Sequence, residues 1–140
     1  MSHQALPRSP ELMSPRDAAL VVIDVQEKLV PAIHESARVV WNVGRLIDGA
    51  KILELPVVAT EQYPKGLGPT LTHVREKIAE AVPDKLAFSA AACGDLFEKL
   101  RADGRRKLLL CGIETHVCVQ QSALDLIAAG FRVYLAVDAV

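Results

Sequence analysis

Cys118 follows Gly112-Ile113-Glu114-Thr115-His116-Val117, near the start of a segment with helical patterning. The amino end of a helix carries partial positive charge and free N–H groups. Both favour a thiolate, and both can hold a developing oxyanion. A buried structural cysteine is the alternative role. Helical phase bears on the choice. At about 3.6 residues per turn, Val117, Leu124 and Ala128 share one apolar face, whereas Cys118 shares a face with Gln121, Ser122 and Asp125. Cys118 is therefore expected outside the middle of the apolar stripe. Cys111, inside a strand, and Cys93, near a helix start, read as packing residues.

A thiol needs a base and, at neutral pH, a cation. With a pKa of about 8.5 only a few per cent of it is ionised. One unit charge at about 4 Å and an effective dielectric near 20 contributes roughly 4 kcal/mol, about three pKa units. Lys85, in Asp84-Lys85-Leu86-Ala87-Phe88-Ser89, is the candidate cation, although spacing alone does not separate it from the other basic residues. Asp24 closes the apolar run Ala18-Ala19-Leu20-Val21-Val22-Ile23 and is the candidate base. An aspartate there also serves as a helix or turn cap.

These residues need elements to position them. Ala18 to Ile23 reads as a strand buried on both faces. Residues 37–55 carry Val39, Val40, Val43, Leu46, Ile47 and Ala50 at helical spacing, and Pro56 stops that helix. Val57-Val58-Ala59-Thr60 is a second strand, and 61–69 a loop by its Gly and Pro content. The spacing predicts a helix over 70–81, a short strand or extended loop at 84–89 and a helix over 95–102. It also predicts a strand at 107–111, a helix over 115–129 ended by Gly130, and a buried strand at 132–137. Such alternation implies parallel strands with right-handed crossovers. Polar residues at the carboxyl ends of those strands are where reactive groups gather.

The 140 residues are the size of one domain, divided here into a mobile arm over 1–17 and a domain over 18–140. The domain reads as C-terminally incomplete, since no helix follows the last strand. Hydrophobic residues make up 51% and charged residues 24%, which supports a substantial core. A net charge of -1 and 4% aromatics argue against nucleic acid as a partner. No apolar run approaches the roughly 20 residues that span a bilayer, so no membrane association is expected. Three cysteines without a pairing framework fit a reducing, cytoplasmic compartment.

Three motifs together resemble the isochorismatase-like cysteine hydrolases: Leu20-Val21-Val22-Ile23-Asp24-Val25-Gln26, the stretch from Asp84-Lys85 to Phe88-Ser89, and Leu110-Cys111-Gly112-Ile113-Glu114-Thr115-His116-Val117-Cys118. Thr60-Glu61-Gln62-Tyr63-Pro64 and Gly66-Leu67-Gly68 are similar to the isochorismatase-domain-containing branch. The resemblance implies a three-layer α/β/α sandwich, a Rossmann-like parallel sheet of order 3-2-1-4-5 with a sixth strand absent here. It implies Asp24 as general base, Lys85 as support for the thiolate and the charged intermediate, and Cys118 as nucleophile. It also implies a cis peptide at Ile113-Glu114, with the Glu114 and Cys118 N–H groups as the oxyanion hole.

Nicotinamidases of the family hold a metal through Asp and His residues after the second strand, where this chain has Glu61-Gln62-Tyr63-Pro64. None of His3, His34, His73 and His116 pairs with another at i, i+3 or i, i+4, so no metal and no cofactor are expected. His116 reads as a polar or packing neighbour of the nucleophile. The reaction expected is hydrolysis of a small-molecule amide or imide through an acyl-enzyme. The alternatives are a catalytically silent binding or assembly module and an isochorismate-type vinyl-ether hydrolase, which needs no thiol. No substrate-binding residue is legible. Apolar residues on more than one helix face, including Trp41, point to a homo-oligomer.

Overall fold

The computed structural model of the chain describes residues 5–140. Its centre is strand β1 (Ala18–Ile23), in which all six residues are buried. Alternation along a strand sends its side chains to opposite faces. Leu20 and Val22 pack in one layer with Val39, Val43 and Ile47, while Ala19, Val21 and Ile23 pack in the other with Phe97, Leu100 and Leu126. Both faces are apolar because helices cover both.

Four further strands complete the sheet: β2 (Val57–Gln62), β3 (Asp84–Lys85), β4 (Lys107–Gly112) and β5 (Arg132–Leu135). They run parallel in the order β3-β2-β1-β4-β5, the expected arrangement. Helix α1 (Ser36–Ile52) buries Val39, Val43, Ile47 and Ala50, spaced at one face, and leaves Trp41 and Ile52 exposed. Two single-turn helices follow, α2 (Pro64–Leu67) and α3 (Thr72–Arg75). Helix α4 (Gly94–Ala102) and helix α5 (Gln120–Ala128) cover the opposite face.

The register β1–β4 pairs Ile23 with Gly112, so Asp24 and Ile113 leave the sheet side by side. Gly112 makes this approach feasible. Its φ is +119°, and a Cβ there would lie 2.1 Å from the Ile23 carbonyl oxygen.

Several expectations are corrected. Residues 70–81 contain only the one-turn α3. Val74 and Ile78 are buried at helical spacing, but the Arg75 guanidinium donates to the Ile78 carbonyl (2.6 Å) and the chain continues in tight turns towards β3. The helix read over 115–129 is two pieces, a wide turn over Thr115–Val119 and then α5. Strand β5 is half-buried or exposed rather than buried, with Leu135 at 43%. It pairs with β4 alone at the sheet edge.

Within the proposed arm, residues 1–4 lie outside the described residues. Further along, Lys107 Nζ donates to the carbonyls of Pro10 (2.6 Å) and Leu12 (2.7 Å) and pairs with Asp17 (2.9 Å). Arg132 meets Glu11 at 2.9 Å, and the Tyr134 hydroxyl donates to the Glu11 carbonyl. These contacts tie residues 10–17 to the amino ends of β4 and β5.

Candidate active site

The carboxyl ends of β1, β2, β3 and β4 converge on one buried ion pair. Asp24 sits one residue past β1 with φ +50°, a left-handed conformation that turns the chain out of the sheet. Its carboxylate is fully buried. Thr60 Oγ1 donates to Oδ1 (2.8 Å), and Lys85 Nζ donates to Oδ2 (2.7 Å). A buried carboxylate is tolerated where it is paired and hydrogen-bonded, as here. The cap reading of Asp24 is thereby displaced: its side chain faces the site, and its oxygens are held by side chains of β2 and β3.

Lys85 comes from a strand of only two residues, placed by the pairing of Gln62 with Lys85. Its ammonium has four acceptors: Asp24 Oδ2 (2.7 Å), the Phe88 carbonyl (2.8 Å), Gln62 Oε1 (3.1 Å) and the Ala87 carbonyl (3.2 Å). An ammonium has three N–H bonds. Every one is committed within the protein.

Cys118 lies in the wide turn Thr115–Val119, where the Val119 N–H reaches five residues back to the Glu114 carbonyl (3.1 Å). Its thiol is buried close enough to Asp24, Lys85 and the Glu114 N–H to feel all three. The peptide Ile113–Glu114 is cis. Burial first, and then the Asp24 carboxylate, push the thiol up to about 12, against smaller opposing effects of Lys85 and the Glu114 N–H. Lys85 acts on the thiol in the expected direction, but burial and Asp24 outweigh it.

The helical phase argument is also corrected. Cys118, Ser122 and Leu126, four residues apart, form the buried face, with Val119. Leu124 (60%) is exposed, as are Gln121, Asp125 and Ala128, and Val117 is half-buried. Cys118 packs in the buried layer with Ile23 and Phe97, which sets it on the inward face. Ser122 is tolerated there because its hydroxyl donates to the Cys118 carbonyl (2.5 Å) and accepts from the Ala90 N–H (2.7 Å).

Cys111 is a packing residue as expected, fully buried with its thiol pushed up to about 12 by burial. Cys93 is half-buried, and its thiol, raised mainly by burial, also feels Lys85, Asp24 and Asp84. It therefore lies nearer the site than a packing role implies. His116 is not packing: its side chain is 77% exposed, with Nε2 3.7 Å from the Glu114 carboxylate.

Sequence reasoning assigned no role to Thr60 and Gln62, which stood in a quoted motif, or to Ser122, named only as sharing a face with Cys118. Gln26 stood in a quoted motif without a role. Here the Gln26 amide donates to the carbonyls of Gln62 (2.9 Å) and Gly68 (2.7 Å) and accepts from the Gln62 N–H (2.6 Å). The only signal was a buried-type strand ending in polar residues at both 24–26 and 60–62. Among the described residues, no group of three or more His, Cys, Asp or Glu side chains is arranged to hold a metal ion. Leu86, Phe88 and Tyr63 are exposed apolar residues next in sequence to this network. A cleft of about 720 Å³ lies elsewhere, between α1, α4 and the amino end of β2.

The isochorismatase domain model matches residues 18–140. Isochorismatase domain-containing protein 1 of Danio rerio is 41% identical over 127 residues, covering 91% of this chain and 45% of the relative. The chain thus spans about half the length of that relative. The fold is similar to a structure described as the MAR1 ribonuclease of Caenorhabditis elegans, with TM-score 0.81, 41% identity, and 91% and 66% of the two chains covered. It is also similar to the YcaC gene product of Escherichia coli, described as an octameric hydrolase of unknown specificity, with TM-score 0.82, 29% identity, and 91% and 65% covered. No helix among the described residues is long and apolar enough to cross a membrane.

Proposed function

Because this chain belongs to the isochorismatase domain family, we propose that it is a cysteine-dependent hydrolase that cleaves a small amide or imide through an acyl-enzyme at Cys118. The observation that carries this reading is the fully buried Asp24 carboxylate, held by Lys85 and Thr60, whose charge acts on the buried Cys118 thiol.

A thiol held up at about 12 is ionised to only on the order of one part in 10⁵ at neutral pH. Attack is therefore coupled to proton transfer rather than preceded by it. Asp24 takes the thiol proton as sulfur bonds to the carbonyl carbon. The oxyanion is received by the N–H groups of Glu114 and Cys118. Collapse expels the amine, which takes the proton from Asp24. Water, deprotonated by Asp24, then attacks the thioester; the carboxylic acid leaves and the thiol is restored. Lys85 and Thr60 hold the Asp24 carboxylate in place between steps.

A screen of small amides and imides, with mass spectrometry of the intact protein, tests the reading. A turned-over substrate, an acyl adduct on Cys118 and loss of both in Cys118→Ala are the expected results. Hydrolysis that survives Cys118→Ala would replace the acyl-enzyme by thiol-independent, vinyl-ether-type chemistry. A reactive thiol without any turnover would favour the silent binding module.

The similarity to a protein described as a ribonuclease motivates a second reading, phosphodiester cleavage. The net charge of -1 and a lysine with no free N–H weigh against it, since RNA binding draws on cationic surface. Incubation with labelled RNA, with Cys118→Ala as control, decides between them. Assembly into a homo-oligomer is proposed on the octameric relative and on exposed Trp41, and a cytoplasmic location on the three unpaired cysteines.

A further inference from the structure

Strand β1 stops pairing with β2 at Thr60, because Asp24 turns the chain away. Two residues later the backbone of Gln62 needs a new partner, and a side chain supplies it. The Gln26 amide accepts the Gln62 N–H (2.6 Å) and donates to the Gln62 carbonyl (2.9 Å), as a neighbouring strand would. Its second donor bond, to the Gly68 carbonyl (2.7 Å), draws the 63–69 loop into the same arrangement. Gln26 is fully buried.

This fixes the direction of the Gln62 side chain. Its Nε2 donates to the Leu86 carbonyl (2.9 Å), which leaves Oε1 facing the Lys85 ammonium (3.1 Å). Turning the amide over would set an NH₂ group against a cation, so only one orientation is satisfied. We infer that Gln62 is a positioning residue for the reaction, whose amide, locked by Gln26 and the Leu86 carbonyl, sets the place of the Lys85 ammonium and through it the Asp24 carboxylate. The choice of a neutral acceptor has a consequence. It gives Lys85 a fourth ligand without sharing its charge, so the full charge remains for Asp24. A carboxylate at position 62 would compete for that charge. The role in turnover rests on the hydrolase reading above, whereas the effect on Cys118 does not.

The test uses the full chain with Gln62→Glu and Gln62→Met. Both keep the length of the side chain; the first adds a charge, and the second removes donor and acceptor. Cys118 alkylation by iodoacetamide is followed against pH by peptide mass spectrometry, which separates it from Cys93, alongside melting temperature and kcat and KM on any amide found to turn over. In Gln62→Glu the added negative charge disfavours the thiolate, so alkylation at pH 9 should slow about tenfold, the equivalent of about one pKa unit. Its pH dependence should move upward, and kcat should fall with KM little changed. Gln62→Met should slow alkylation by at least about threefold, as Lys85 and Asp24 lose their fixed placement. Melting temperatures reduced in both variants, with Cys118 alkylation unchanged at every pH, would make Gln62 merely structural and overturn the inference. If Gln62→Glu fails to fold, Gln62→Met decides by the same criterion. If no amide is hydrolysed even by the unmodified chain, the reaction reading fails while the alkylation profile still decides the role of Gln62.

Discussion

The Lys85 ammonium lies 2.7 Å from Asp24 Oδ2, with the two side chains 1% and 0% exposed. They are 61 positions apart and come from opposite sides of β2, since β2 lies between β1 and β3 in the sheet. Lys85 must therefore reach past the end of β2, where Gln62 accepts one of its bonds. The pair couples stability to chemistry, because neither charge has water to fall back on.

Breaking this pair should unsettle the fold. Lys85→Met leaves the Asp24 carboxylate buried without its cation, at a cost of about 3–5 kcal/mol. Chemical denaturation should show a lower midpoint by that amount. Lys85→Arg should rescue little, because a planar guanidinium does not match four acceptors gathered around one nitrogen. Near-native stability in Lys85→Met would show that the buried pair contributes little to the fold.

Asp24→Asn should separate thiol reactivity from turnover. Asp24 raises the Cys118 thiol, and Lys85 lowers it. Removing the carboxylate charge leaves the lysine unopposed, so alkylation of Cys118 should move to lower pH and quicken. Hydrolysis should nonetheless fall about 10²–10⁴-fold, the usual contribution of a general base. Slower alkylation together with slower turnover would indicate that the site had collapsed instead.

Two buried thiols predict a loss of stability in alkali. Cys111 and Cys118 are each raised from 9.0 to about 12. A group whose pKa is raised on folding binds its proton more tightly in the native state. Its contribution is complete below the unfolded value, near 9, and is lost as pH rises towards the folded one. Denaturation midpoints should fall between about pH 9 and pH 12. In Cys111→Ala the slope over that window should be shallower, whatever the absolute stability. An unchanged slope would mean that other groups dominate there.

Gly112→Ala tests the approach of β4 to β1. A methyl group would stand 2.1 Å from the Ile23 carbonyl oxygen, and the φ of +119° is foreign to alanine. The strands would have to part beside Asp24 and Glu114. A loss beyond about 4 kcal/mol, or failure to accumulate as soluble protein, is expected. A folded variant with ordinary Cys118 reactivity would show that the strand ends can separate without disturbing the site.

Much of this was legible one residue at a time. Short runs of Ala, Val, Leu and Ile at 18–23 and 107–111 identify central strands, because a strand covered on both faces needs no polar alternation. From the order of elements follows a parallel sheet; its 3-2-1-4-5 arrangement, implied by the resemblance, brings Asp24 and the Cys118 segment together. The resemblance then supplied Lys85, which local pattern could not distinguish from other basic residues. Tertiary structure decided the rest. Which face of 115–129 turns inward depends on the wide turn at Thr115–Val119 and on Asp24 behind it, so Leu124 is exposed and Cys118 buried. Whether Lys85 lowers the thiol depends on what else its ammonium binds. Those four acceptors come from 24, 62, 87 and 88, positions whose neighbourhood exists only after folding. The sequence specified the residue types and the strands that carry them; distance, burial and the sharing of one charge among several partners are properties of the folded chain alone.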